Sequence, residues 1–175
     1  MSRTAHSCDP ANHGREETTE LGAVIAFPAS LSSDVAPVAS IIPTTTTAPH
    51  REFTVRVGGE SLSIPYRFYN AEPSADQISS LSERQQLLLH TFFIRHHDGY
   101  VRQRHLQKAL RSLEAWTPPY VVSVIGEYVV EIIQAVAEGL DQLEDPLSQQ
   151  SAIYGRYVAE NRAVIDLIEA RAASY

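Results

Sequence analysis

With 175 residues, 43% of them apolar, the chain is long enough for one ordinary domain that buries its own core without disulfide or metal support. Twenty-one acids against 14 Lys and Arg leave a net charge of −7, which argues against a general phosphate binder, whose footprint is a basic excess. The single cysteine, Cys8, excludes an intramolecular disulfide and any zinc site needing two cysteines from one chain.

A reducing, cytoplasmic compartment fits that cysteine usage. All the basic residues but Lys108 are arginine, a usage that points to a GC-rich, bacterial genome. The first residues carry Asp9, Glu16, Glu17 and Glu20 rather than a basic stretch, so no secretion signal is expected.

In chain order, residues 1–50 are rich in Ser, Thr, Ala and Pro and end in TTTTAPH. They read as a disordered, low-complexity arm, because little patterned apolar surface is present to offset the entropy of ordering. Within the arm, the apolar patch AVIAF (residues 23–27) is a candidate docking strand.

Residues 53–69 alternate. Phe53, Val55 and Val57 share one face, Gly58 and Gly59 supply a primed turn, and Leu62, Ile64, Tyr66 and Phe68 continue the face on a second strand. Pro65 cannot donate to a ladder, which leaves that strand with a free outer edge or a bulge. A lone hairpin is barely stable in water, so its apolar face must lie on the helices that follow.

After a Pro-containing connector, Ser82 and Gln85 form a capping box for a first helix over residues 83–96. Leu88, Leu89, Phe92 and Phe93 face its core side, and Asp98-Gly99 stops it. A second helix spans 100–113, with Val101, Leu106, Ala109, Leu110 and Leu113 inward and Arg104, Lys108 and Arg111 outward. Thr117 then caps a third helix that begins with Pro118 at its first position.

Residues 120–143 are β-branched enough for a strand, but Ser123, Glu127, Glu131, Gln134, Glu138 and Asp141 recur every three or four residues. That spacing is one narrow polar stripe on an apolar rod, so the segment is expected to be a single long helix with its glutamates in water and Gly126 either at a close helix contact or as a mild weakness. Carboxylates in mid-segment also exclude a membrane span. Beyond Pro146, a fourth helix over 147–172 places Tyr154, Tyr157, Val158, Ile165 and Ile168 on one side. The fold class expected is therefore α+β, predominantly α: a β-hairpin (53–69) packed on about four helices in one domain, residues 51–175, behind a disordered N-terminal arm.

The halves differ in charge. Residues 51–113 hold nine bases and six acids; residues 114–175 hold three bases and ten acids. The difference suggests mutual attraction or two distinct surfaces.

At Asp98, Val101, Arg102, Leu106 and Leu110 the text resembles one unit of a HEAT-like, armadillo-type helical repeat, the likeness covering about residues 82–113. In such repeats an Asp caps the second helix of a pair and the Leu and Ala-Leu positions face the neighbouring helix. The resemblance implies a helical hairpin and a role in binding other proteins. No second copy is visible, and such arrays need about three units for stability.

Three chemical readings arise from the residues. His96, His97, Asp98 and His105, with His90 nearby, could converge on a metal; the plain alternative for His96 and His97 is charge interaction with the carbonyl end of the first helix. Arg102, Arg104, Lys108 and Arg111 could contact phosphates in a nucleic-acid-associated regulator. The helix after them, though, is apolar with an acidic stripe. No nucleophile elbow, phosphate loop or dinucleotide fingerprint is present, so neither an enzyme nor a cofactor is proposed. There remains a non-enzymatic protein-interaction or scaffold module, with a protein partner or a second copy docking on Trp116, Tyr120, Tyr154 and Tyr157, residue types favoured as interface anchors.

Overall fold

The computed structural model describes residues 26–49, 51–127 and 129–174. Among them are eight α-helices and one antiparallel hairpin, an α+β arrangement that is mainly α. No helix among these residues is long and apolar enough to cross a membrane.

A 3₁₀ turn over Ala29–Leu31 leads into α1, Ser32–Ile41. This corrects the expectation of a disordered arm through residue 50; residues 1–25 lie outside the described residues. Leu31, Val35, Val38 and Ile42 are all buried, and their spacing of four, three and four is that of a helix face. The stripe lies against α3. It is legible in the sequence, but Ser, Thr and Pro dominate the local composition and hide it. Of the candidate docking strand, Ala26 and Phe27 do dock, in a turn rather than a strand: Tyr120 Oη donates to the Ala26 carbonyl at 2.6 Å. Phe27 stacks on Tyr120 and meets Trp116 edge-on. The domain therefore begins by Ala26, not at residue 51.

Strands β1, Glu52–Val57, and β2, Glu60–Pro65, pair with Phe53 opposite Ile64 and Val55 opposite Leu62. Gly58 and Gly59 have φ of 59° and 90°, the two positive angles a primed two-residue turn demands. Val55, Val57, Leu62 and Ile64 are buried, each stabilising the fold by about 1.5–3 kcal/mol of transfer free energy. No third strand joins at Pro65; its carbonyl accepts instead from Arg95 Nε. The outer edge of β1 is covered by a side chain. Asn161 Oδ1 accepts from Arg56 N at 2.7 Å while its Nδ2 donates to Arg56 O at 2.9 Å, so one amide imitates a neighbouring strand. The chain beyond Pro65 leaves the hairpin, and Phe68 bridges to the end of α3 through Arg95 O and His97 N.

The connector holds a short helix that the sequence reading passed over, α2, Ala75–Ser79, with its own capping box from Ser74 and Gln77. The same Ser-x-x-Gln signal opens α3, Glu83–Phe93, where Ser82 and Gln85 exchange both bonds. Helix α4, Gly99–Ala109, is capped by Asp98, whose carboxylate accepts from Tyr100 N and Val101 N. Helices α3 and α4 pack against each other as a helical pair, and among the described residues no later pair of helices repeats it, so no HEAT-like array is present there. Leu113, expected inward, is exposed beyond the end of α4.

The single long helix expected over 120–143 is broken. Helix α5 runs Pro118–Ser123 and α6 runs Val130–Gly139. Thr117 precedes α5 without a side-chain cap; its hydroxyl bonds Ser112 instead. The break follows from two pulls in the same place. Val124, Ile125, Val129 and Val130 favour helix only weakly and Gly126 less still, while the Glu127 carboxylate turns inward to three arginines. Glu131 and Glu138 do stay on the wet face. A Cβ at Gly126 would lie 3.4 Å from Ile168 Cγ2, an ordinary van der Waals distance, so of the two roles expected for this glycine the break favours the weak point in the helix.

The expected fourth helix is also two: α7, Gln149–Glu160, and α8, Arg162–Ala172. Asn161 sits between them with φ −129°, its amide committed to β1 and to Tyr157 O. Buried apolar side chains from every layer form one contiguous cluster.

Candidate functional site

Three places in the structure gather side chains able to do something chemical. The first is the joint of hairpin, α3 and α4. Arg95, 1% exposed, donates to the carbonyls of Pro65 and Tyr66, to Ser123 Oγ and, at 2.8 Å, to Glu127 Oε1. Arg67 meets the same carboxylate at 2.8 Å. Arg102 donates to the carbonyls of His96 and His97, and its Nε stands 3.3 Å from Glu127 Oε2 without hydrogen-bond geometry, so that leg is purely electrostatic.

Three guanidiniums thus share one carboxylate, and the backbone carbonyls at the end of α3 supply the remaining negative potential. Burial lowers the Arg95 pKa to about 10, with Glu127 opposing, and burial lowers that of Arg102. Every contact here ties one element to another. The arrangement clamps segments 60 residues apart in the chain.

The second place is a relay. His105 Nε2 faces Glu72 Oε1 at 2.8 Å and its Nδ1 faces His90 Nδ1 at 2.9 Å. With Nε2–H donated to the carboxylate, His105 Nδ1 accepts the proton of His90. Burial lowers the His90 pKa from 6.5 to about 4, with the charges of His105 and Lys108 adding to it. Burial lowers that of His105 too, against the pull of Glu72.

The expected metal group does not assemble. His96 places Nε2 on the Asn70 carbonyl and accepts from Asp98 N at Nδ1, His97 is exposed and stacks on Tyr69, Asp98 caps α4, and His105 is in the relay. Among the described residues no group of three or more His, Cys, Asp or Glu is placed to hold a metal ion.

The basic row is divided as well. Arg102 points inward to Glu127 and Arg104 pairs with Glu72 at 2.5 Å, which leaves Lys108 and Arg111 as exposed cations on that side. The aromatic candidates for a partner surface turn inward, although Tyr154 also lines a groove between α7 and α8. Trp116, Tyr120, Tyr154 and Tyr157 are all buried, Trp116 and Tyr120 packing Phe27 and Tyr157 supporting Asn161. A domain with short helices needs large rings to fill its own centre.

The third place is one that the sequence reading missed. Between α5, the turn after α6, α7 and α8 lies a groove of about 460 Å³. Val122, Ile125, Leu140, Val158, Ile165 and Ile168 form its floor and walls, and Leu143, 39% exposed, stands at its mouth. Gly155 opens it from α7: a Cβ built there meets no heavy atom within 4 Å. Polar groups are few: Ser151, Glu169 and the hydroxyl of the lining Tyr154, which has no hydrogen-bond partner among the described residues. No single motif could have revealed it. The lining comes from four separate stretches, brought together only by the breaks at residues 124–129 and at Asn161.

Two further cavities have different walls. One of about 490 Å³ lies beside Asp98, Gly99, Gln103, Val129 and Glu131, and one of about 270 Å³ lies between Arg56 and Arg156 near the hairpin turn. Compared with known proteins, the chain matches no family model, no curated protein and no solved structure.

Proposed function

We propose that this chain is a non-enzymatic protein-interaction module, and that the groove between α5, α7 and α8 is where its partner docks. The observation that carries this reading is the convergence of apolar side chains from four stretches onto one open surface cleft. Water-exposed apolar surface of this kind gains free energy when covered, at about 25 cal/mol per Å².

Small-molecule sites combine apolar walls with a few convergent polar groups that fix orientation. This groove has few polar groups against a largely apolar lining, and its place between helices suits side chains of an apolar segment, as in helix-in-groove recognition. The titratable clusters support the same reading, because Glu127 and its arginines, and Glu72 with its histidines, are committed to holding elements together.

The test uses Gly155→Trp, which fills the groove from a position with open space and, by replacing a helical glycine, favours α7. Photo-crosslinking in the native host with wild type and Gly155→Trp, the variant checked for a melting temperature no lower than that of the wild type, should give one adduct with the wild type that the variant loses. Light scattering shows whether that adduct is a second copy. Identical adducts from both proteins, or none from either, would overturn the proposal.

A further inference from the structure

Resting on that reading, we infer that the occupant is a basic amphipathic segment of a different protein: apolar residues at helical spacing, flanked by Lys or Arg. The charge around the groove carries the inference. Glu169 lines it, and the exposed Asp141 and Glu144 adjoin the lining residues Leu140 and Leu143. Among the described residues none of these three carboxylates has an ion-pair partner.

The cations of α8 are engaged elsewhere, Arg162 with Asp166 at 3.0 Å and Arg171 over the Tyr66 ring at 5.2 Å, and the one cation of α7, Arg156, lines the separate cavity beside the hairpin turn. An apolar floor with uncompensated acids around its mouth attracts a positively flanked segment and repels an acidic one.

The chain itself offers no such segment. Its basic ridge, Arg104, Lys108 and Arg111, belongs to α4 and its following turn, where Val101, Leu106, Ala109 and Leu110 are already buried, so a second copy brings charge without an apolar face. Residues 1–25 bring an apolar run, but Glu16, Glu17 and Glu20 precede it, the wrong sign for this mouth.

The experiment measures fluorescence anisotropy of three labelled helical peptides against the full chain. All carry the same leucine stripe; they differ only in Lys, Gln or Glu at the flanking positions. The Lys peptide should bind about tenfold more tightly than the Gln peptide at low salt, and the Glu peptide more weakly than either, with the differences shrinking near 0.5 M salt as screening shortens to roughly 4 Å.

Replacing the rim by Asp141→Asn, Glu144→Gln and Glu169→Gln together should bring the Lys peptide to the level of the Gln peptide. Gly155→Trp should abolish binding of all three. If the peptides bind equally, or the Glu peptide best, yet Gly155→Trp still abolishes binding, the inference about charge fails while the groove remains the docking site. If no peptide binds, or binding ignores Gly155→Trp, the inference and the proposed function fall together.

Discussion

The α3–α4 joint and the face between α7 and α8 use opposite materials for opposite ends. At the joint, charged groups turn inward. Arg95, Arg102, His96 and His105 are buried, each against a carboxylate or a carbonyl. Across the molecule, apolar residues of α7 and α8 turn toward a groove at the surface while the acids around it remain unpaired. Internal polar bonds make the joint rigid and directional, since each group left without its partner would be heavily penalised. The groove has neither demand, and can be covered or bared without breaking the fold. The difference fits the joint to architecture and leaves the groove as the proposed docking surface.

The largest effect that separates the two regions is expected at Glu127. Glu127→Leu leaves three guanidiniums facing one another at the joint and should cost about 3–5 kcal/mol, read as a lower urea midpoint with an unchanged slope. A loss under 1 kcal/mol would mean that the carbonyls alone suffice. A paired glycine experiment sharpens the comparison at smaller scale. A Cβ at Gly139 would lie 2.7 Å from Leu110 Cβ, so Gly139→Ala should destabilise by about 1–3 kcal/mol through overpacking, while Gly155→Ala, in open space, should stabilise by up to ~1 kcal/mol. Equal effects from the two would remove the contrast between the packed α4–α6 contact and the open groove.

The smallest is a dependence on pH. The folded chain holds His90 neutral down to about pH 4, and burial lowers His96 and His105 as well. The unfolded chain takes up these protons near pH 6.5, before the folded chain does. Stability is therefore complete above about pH 6.5 and declines as pH falls toward 4. The melting temperature should drop by several degrees across that window, and less in His90→Gln, whereas groove variants should follow the wild-type profile.

Much of the local architecture was legible. The Gly58-Gly59 turn, the Ser82–Gln85 box, the Asp98 cap and, Leu113 apart, the inward faces of α3 and α4 all sit where the residues pointed, because each depends on groups within a few positions of one another. The α1 stripe and the Ser74–Gln77 box carried equally local signals that composition obscured. The candidate site was less legible. The aromatic residues proposed as a surface are core, the basic row loses Arg102 to the interior, and the acidic stripe of a supposed long helix is split by the inward turn of Glu127.

The sequence by itself determined where turns, caps and apolar faces fall, since backbone preferences and side-chain periodicity act over a few residues. Only the tertiary structure decided that residues 124–129 and Asn161 interrupt helices. Those breaks satisfy partners far away in the chain, Arg67, Arg95 and Arg102 in one case and the bare edge at Arg56 in the other. The groove exists because of both breaks, which is why a reading along the chain could not have found it.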